Sequence, residues 1–385
     1  MIVDWTGTEV RALRTVALRC TQQEFAEITG FSEAAVRNWE RRGRTITLAG
    51  QFAAGMDTLL KQLDTEQRER LRSALGGASE TRAGKPGPVE IVAAWLPELR
   101  MVLDSHDLVD SASIRSVPQL RAAVGAAVNY RLNSDYVRLT RLLPELLREL
   151  FRARQYAAEK EAGDIDRLTV QALRATDAIA HKFGHHDLSA RIIAMMRGIV
   201  EDMDDPALAA SVSYVRMEAF FVNGCLAAGL RMLDRAADSL DPGTSISDAA
   251  AFGALRMRAA VVAARAARPD DAYAYSAEAE TIGHPIPDGV YDGTAFGPAS
   301  VRIHRVSLDV ELGEIGSSLS AAGWVPPAVV PAERRSHFYI DLARAYAEAG
   351  RRDDAVASLR EASFIAPQHT DNHPWVKELL AGAVG

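Results

Sequence analysis

The chain has 385 residues, enough for two or three domains, and 48% hydrophobic, 25% charged and 6% aromatic side chains. Mean hydropathy is -0.07; no apolar run reaches the roughly 18 residues of a membrane span, and the start Met1-Ile2-Val3-Asp4-Trp5 lacks a basic and apolar leader pattern, so neither membrane insertion nor secretion is expected. The net charge of -7 excludes a protein that coats nucleic acid along its whole length and confines any such contact to a local patch, while two cysteines, Cys20 and Cys225, exclude a disulfide framework and make a reducing cytoplasm the expected setting.

Composition divides the chain into a compact helical block over residues 1–75, a Gly/Pro-rich stretch over 76–88, and a long Ala/Leu-rich region over 89–385. The middle stretch has almost no large apolar side chains to bury and reads as a linker. Residues 1–80 carry 11 basic and 11 acidic side chains, so the negative charge belongs to the C-terminal region.

In the first block, a helix is expected over Glu9–Arg19, with Val10, Leu13 and Val16 or Ala17 facing inward. Thr21 and Glu24 have the spacing of a capping box and start a second helix, which Gly30 ends. Ser32 is an N-cap for a third helix, and Phe25, Ala26, Val36 and Trp39 fall where the second and third helices face each other. This is a helix-turn-helix.

The motif Gln22-x-x-Phe25-Ala26, Gly30-Phe31-Ser32, Val36-x-x-Trp39-Glu40-x-x-Gly43 resembles the phage-repressor-like (Cro/C-repressor, XRE) helix-turn-helix family over about 60 residues. The resemblance implies a five-helix DNA-binding domain. Family members carry a first-helix arginine that pairs with the carboxylate at the Glu40 position. The matching residue here reads Thr15, with Arg14 beside it, so the resemblance by itself does not supply the pair. By the same resemblance, Gln22, with Gln23 beside it, opens the second helix toward a phosphate or base edge. The third helix, starting at Ser32, enters the major groove of double-stranded DNA. There Arg37 suits guanine, Asn38 adenine, Glu33 a cytosine amino group and Ala34 a thymine methyl, while Arg41, Arg42 and Arg44 meet phosphates.

The region 89–385 repeats apolar residues at helical spacing, with turn signals about every 35 to 45 residues, as repeat architectures require. They are Gly184-His-His-Asp, Asn223-Gly224, Arg268-Pro-Asp-Asp, Leu312-Gly-Glu and Ala349-Gly-Arg. No strand periodicity is evident, and about five or six helical pairs are expected. Counted from Ser336, the residues Tyr339, Leu342, Ala343, Tyr346, Ala355, Leu359, Ala362 and Pro367 resemble the tetratricopeptide consensus: small residues where two helices approach, large ones filling the gap. The expected fold is therefore all-α, a helix-turn-helix domain followed by a TPR-like solenoid. Through the segments Phe296-Gly-Pro-Ala-Ser-Val-Arg-Ile-His-Arg-Val306 and Glu333-Arg-Arg-Ser-His337 to Gly350-Arg351, the whole chain also resembles actinobacterial regulators that join these two parts. By analogy with the peptide-sensing RRNPP group, that implies a homodimer whose concave face binds a peptide or small-molecule effector. Asn129, Asn133, Tyr214, Arg216, Arg256, Arg302 and His304 lie on or near the first helices of pairs and are the expected ligand contacts.

Residues 284–298 form a long break between helices, whose Tyr291 and Phe296 are expected to pack on the neighbouring repeat rather than to cover a ligand. His181, His185 and His186 are interrupted by Gly184 and read as a surface turn, not a metal site. Cys20 reads as a buried, inert thiol. No phosphate-binding loop, nucleophile elbow or kinase set occurs, so neither enzymatic activity nor a cofactor is expected. The alternative to a regulator is an adaptor whose repeat groove captures an extended segment of a partner protein.

Overall fold

The computed structural model describes residues 5–43, 46–48, 50–64, 66–67, 70–71 and 87–382. These are mostly helical, with one two-stranded sheet, and the chain divides into two compact units, Met1–Pro86 and Gly87–Ala383. Among the described residues no helix is long and apolar enough to cross a membrane.

The first unit opens with α1 (Gly7–Ala12), capped by Thr6 with Glu9 returning to the Thr6 backbone. Instead of one regular helix to Arg19, α1 passes into a π-helical turn, Leu13–Leu18, closed by Arg19 at φ 57°. Then follow α2 (Gln22–Thr29), α3 (Glu33–Arg42) and α4 (Gln51–Gln62). Thr21 and Glu24 form the capping box, Gly30 takes the left-handed conformation at φ 71°, and Ser32 Oγ accepts from the Ala35 amide at 3.2 Å. Val10, Leu13, Phe25, Val36 and Met56 are fully buried, and of the Val16 and Ala17 pair it is Ala17 that reaches the core. Trp39 sits edge-on between Phe31 and Phe52, with centroids 5.6 and 5.3 Å away. Beyond α4, residues 66–67 and 70–71 are helical. The expected linker lies outside the described residues up to Gly87, the N-cap of the next helix.

The second unit starts with α5 (Pro88–Asp104). Six helical pairs follow among the described residues: α6 (Val117–Leu132) with α7 (Tyr136–Tyr156), α8 (Glu159–Lys182) with α9 (His186–Glu201), and α10 (Pro206–Val222) with α11 (Leu226–Asp238). The last three are α12 (Ile246–Arg265) with α13 (Pro269–Gly283), α14 (Pro298–Glu311) with α15 (Ile315–Leu319), and α16 (Ala332–Glu348) with α17 (Arg352–Ile365). Short helices α18 (Pro367–Asn372) and α19 (Pro374–Gly382) close the unit.

Every pair turns the same way. A left-handed residue stands at Ser134, Gly184, Gly224, Ala267, Gly313 and Gly350. The next amide then bonds back five residues, as Asp135 does to Tyr130 O at 2.8 Å, His185 to Ala180 O at 2.8 Å and Arg268 to Ala263 O at 2.9 Å. This Schellman closure satisfies carbonyls that the helix end leaves open and sends the chain back antiparallel. The first helices of the pairs then stack in order, α6 on α8, α8 on α10, α10 on α12, α12 on α14 and α14 on α16.

The break at 284–298 differs from expectation: it contains β1 (Gly289–Tyr291) and β2 (Thr294–Phe296), paired antiparallel with Val290 opposite Ala295. Asp292 (φ 44°) and Gly293 (φ 77°) supply the two-residue turn whose twist suits a hairpin. Phe296 is fully buried and fills the space above Gly253, where a Cβ would lie 2.0 Å from its ring.

Candidate functional site

The third helix presents one face outward. Glu33, Ala34, Arg37 and Arg41 are exposed and Asn38 half-buried, at positions that share a helical stripe, while Val36 and Trp39 on the opposite side are buried. Arg37 pairs with Glu33 one turn earlier, and Arg41 Nη2 donates to Asn38 Oδ1 at 2.8 Å. Both are solvated contacts within one helix, worth little, so they yield readily to stronger acceptors. Ser32 uses its hydroxyl as the helix cap, Gln23 donates to Glu27 at 3.2 Å, and Arg42 is exposed at the end of α3. Arg44 lies outside the described residues.

Behind that face is an ion pair that the family resemblance left unassigned. Arg14 grips Glu40 with both ends of its fork, Nε to Oε1 at 2.5 Å and Nη2 to Oε2 at 2.9 Å, and donates Nη1 to Cys20 O at 2.7 Å. The side chains are 12% and 6% exposed. The correction has a local cause: a π-helical turn adds a residue to each turn, so the spacing expected of an α-helix points to Thr15 while the backbone directs Arg14 at α3. Thr15 instead bonds back to Arg11 O at 2.8 Å. Burial opposes charge on Glu40, but Arg14 and Gln22 outweigh it and hold the carboxyl below its ordinary pKa. Gln22 donates Nε2 to Glu40 Oε2 at 2.7 Å, so its amide nitrogen, expected to meet a nucleic acid, is committed inside the unit and its position at the start of α2 is fixed. Cys20 is half-buried, its thiol pKa raised by that burial.

The expected ligand contacts scatter. Asn129 and Asn133 are exposed at the end of α6 and bond to each other at 2.9 Å. Arg216 borders a small hollow with Arg197 and Phe220. Arg256 is a tie between helices, 2.8 Å from Asp234 and 2.9 Å from Glu278. Arg302 lies over the Trp324 ring. Of these residues His304 lines a cavity of about 500 Å³ in the second unit, and Tyr214 lies behind its wall, accepting a hydrogen bond from the lining residue Arg334.

That cavity is lined from the first helices α8, α10, α12, α14 and α16, with His186 at the start of α9 and residues of the closing helices α18 and α19. Its ends are joined by contacts remote in sequence: Val137 N donates to Gln368 Oε1 at 3.2 Å, and Lys182, on α8, lies 2.6 Å from Glu333 and 3.4 Å from His369 Nδ1. The last helices thus return to the first pairs, and the repeat array closes around the space. Toward the first pairs the hairpin fills the interior. Buried Arg131 donates to Gly293 O at 2.6 Å, and buried Arg174 to Asp292 O and Thr294 Oγ1 at 2.7 Å each.

Electrostatics in the cavity are dominated by guanidinium groups. Tyr214 is buried, which by itself raises a phenol, yet Arg334, Arg258 and Arg174 bring its pKa below the ordinary value. Burial holds His337 and His373 neutral, pushed down to about 3, with Lys182 and Arg334 adding to the effect at His337 and His337 itself at His373. Burial likewise drives His304 and His369 well below the imidazole range. Glu333 stays ionised because Lys182 and Arg334 overcome its burial. His181 belongs to this wall, 3.6 Å from Glu218, rather than to a surface turn. Among the described residues no cluster of histidine, cysteine and carboxylate side chains has metal-holding geometry.

Sequence reasoning missed Lys182, Arg258, Glu333, Arg334, His337 and His369. Each reads as ordinary helix surface, and only the closure of the array turns them inward. No family model, curated protein or solved structure matches the chain.

Proposed function

We propose that the chain is a sequence-specific DNA-binding transcription regulator whose helical-repeat unit senses an effector. The observation that carries this reading is α3. It exposes Glu33, Ala34, Arg37 and Arg41, with half-buried Asn38, on one stripe, and a buried Arg14–Glu40–Gln22 network braces it against α2 and the π turn. Such a face has the donor and acceptor set of a major-groove reader: Arg37 for guanine, Asn38 for adenine, Glu33 for a cytosine amino group, Ala34 for a thymine methyl. Arg41 and Arg42 follow at the rim, where phosphates lie. A single unit of this size makes few phosphate contacts, so useful affinity requires two, and a homodimer with half-sites about 34 Å apart or a multiple of that spacing follows.

Band-shift titration against selected fragments tests the reading. Arg37→Ala relaxes sequence preference at one position by about 1–3 kcal/mol, whereas Arg41→Ala weakens all sequences alike and lowers the salt slope by about 1. Equal, unchanged binding in both variants overturns the groove assignment. The adaptor reading requires an open groove for an extended partner. The bonds that join Val137 to Gln368 and Lys182 to Glu333 weigh against it.

A further inference from the structure

We infer that the interior cavity of the second unit is a binding site for a small organic anion, a compact molecule bearing a carboxylate or phosphate head, and not for an extended peptide. This deepens the effector half of the function proposed above and rests on it.

Three observations lead here. The first is charge. Six cations, Lys182, Arg258, Arg265, Arg334, Arg344 and Lys377, line the space against four carboxylates, Glu218, Glu311, Glu333 and Asp341. Those carboxylates are already engaged: Glu333 by Lys182, Glu311 by Arg265 at 3.1 Å and Arg344 at 3.0 Å, and Asp341 by Ser307 and Arg344. Beside the cavity, among the described residues, Arg131 and Arg174 donate to hairpin carbonyls and a hydroxyl and make no ion pair.

The second is unused donors. Arg334 donates to the Tyr214 hydroxyl at 2.5 Å and, among the described residues, makes no ion pair. Arg258 reaches Glu218 only at 3.4 Å, and its Nε is buried without a partner. His369 is 2% exposed. Its Nδ1 faces the Lys182 ammonium, which can only donate, so Nε2 must carry the ring proton, and that Nε2 is buried without a partner. Buried donors left unpaired are costly and call for an acceptor. Arg258 and Arg334 lie over the same Tyr214 ring, 4.6 and 5.9 Å from its centroid, and two such guanidinium forks fit a carboxylate or phosphate.

The third is size. The space of about 500 Å³ is in the range of small-molecule pockets. Phe221, Val261 and Ile303 add an apolar wall for the body of the ligand, and Phe221 also carries Arg258 and Arg265 over its ring. The hairpin tip occupies the interior at Arg131 and Arg174 and the last helices are bonded to the first pairs, which leaves a compact space better suited to a small molecule than to an extended peptide.

The test is calorimetry and thermal unfolding of the full chain without DNA, with benzoate and inorganic phosphate as probes at constant ionic strength. Benzamide serves as the uncharged control, and N-acetyl-tetra-alanine, with its free carboxylate, as the peptide control. Saturable binding of benzoate or phosphate, with a raised Tm, and none of the two controls is expected. Arg334→Gln and Arg258→Gln each weaken binding at least about tenfold, while Arg216→Gln, in the other hollow, leaves it unchanged. If Arg334→Gln does not fold, Arg334→Lys keeps the charge, removes the fork and still weakens the probe. Stabilisation no greater than chloride gives, equal binding of benzamide, preference for the peptide, or full binding by both arginine variants overturns the inference. The DNA measurements do not enter this result, so either proposal can fail without the other.

Discussion

The Arg14–Glu40 pair is the keystone of the first unit, and its removal has a calculable cost. At an effective dielectric near 20, opposite charges about 4 Å apart attract by roughly 4 kcal/mol. Taking away one partner leaves the other charge buried, which typically costs about 3–5 kcal/mol. Glu40→Ala strands two Arg14 nitrogens and the Gln22 amide, and Arg14→Ala strands the carboxylate, so each single variant is expected in that range. Replacing both by apolar residues of similar volume, Arg14→Met with Glu40→Leu, removes the charges together and is expected to cost no more than either single change. Hydrogen-exchange protection of amides in residues 5–43 of the full chain reports local stability directly. The coupling energy from the cycle of Arg14→Met, Glu40→Leu and the double variant is expected to be about 2 kcal/mol or more. Additivity within about 0.5 kcal/mol contradicts the structural reasoning. The pH dependence has a definite sign. The folded carboxyl lies below its unfolded value, so its contribution is complete above the ordinary glutamate range and is lost as pH falls through the folded value. Glu40→Gln removes that dependence.

Three further outcomes are specific. Gly7→Ala places a Cβ 1.8 Å from the Trp39 carbonyl oxygen, an overlap with backbone that α1 and α3 relieve only by separating, at a loss of about 1–3 kcal/mol or more; Gly163→Ala, in α8 with nothing within 4 Å, gains about 0.5–1 kcal/mol, and urea midpoints compare the two. Ala267 is left-handed at φ 55° where four of the other pairs use glycine, so Ala267→Gly raises stability by about 0.5–1 kcal/mol, read from the thermal midpoint; a loss refutes the shared turn geometry. His337 and His373 titrate near 3 when folded, below the unfolded imidazole, so the unfolded chain takes up protons first and their stabilisation, complete above the unfolded value, fades as pH drops toward 3. The slope is at most about 1.4 kcal/mol per pH unit for each, less for His337 because a third of it, 33%, is exposed. His337→Asn and His373→Asn flatten the urea midpoint between pH 6.5 and pH 4 (roughly these bounds), and an unchanged slope contradicts the assignment.

Local signals were legible where the physics is local. Thr21, Ser32 and Gly30 declare the ends of α2 and α3, and Gly184, Gly224, Gly313 and Gly350 mark four of the six turns because a left-handed helix end favours glycine. At Ala267 the signal is the Arg268-Pro-Asp-Asp that follows instead of a glycine, and Ser134 has neither. Phase was legible only where the helix is regular: the π turn shifts Arg14 into the place assigned to Thr15. Asp292-Gly293 is a hairpin signature, but the strands beside it are three residues each, too short for a period to stand out. The cavity was illegible for a different reason. Lys182 meets Glu333 and Val137 meets Gln368 across most of the unit, and helical periodicity places a residue on a face without saying what that face will meet. The ligand guesses accordingly reached His304, with Tyr214 just behind the wall, and missed the arginines and histidines around them.

The central claim, that α3 reads a duplex, is tested most directly by selecting bound fragments from random DNA with the wild-type chain and with Arg37→Ala in parallel. The account predicts one enriched two-fold motif for the wild type and, for the variant, the same motif with its guanine position randomised in each half-site. No enriched sequence for the wild type, or an identical motif for both proteins, contradicts it.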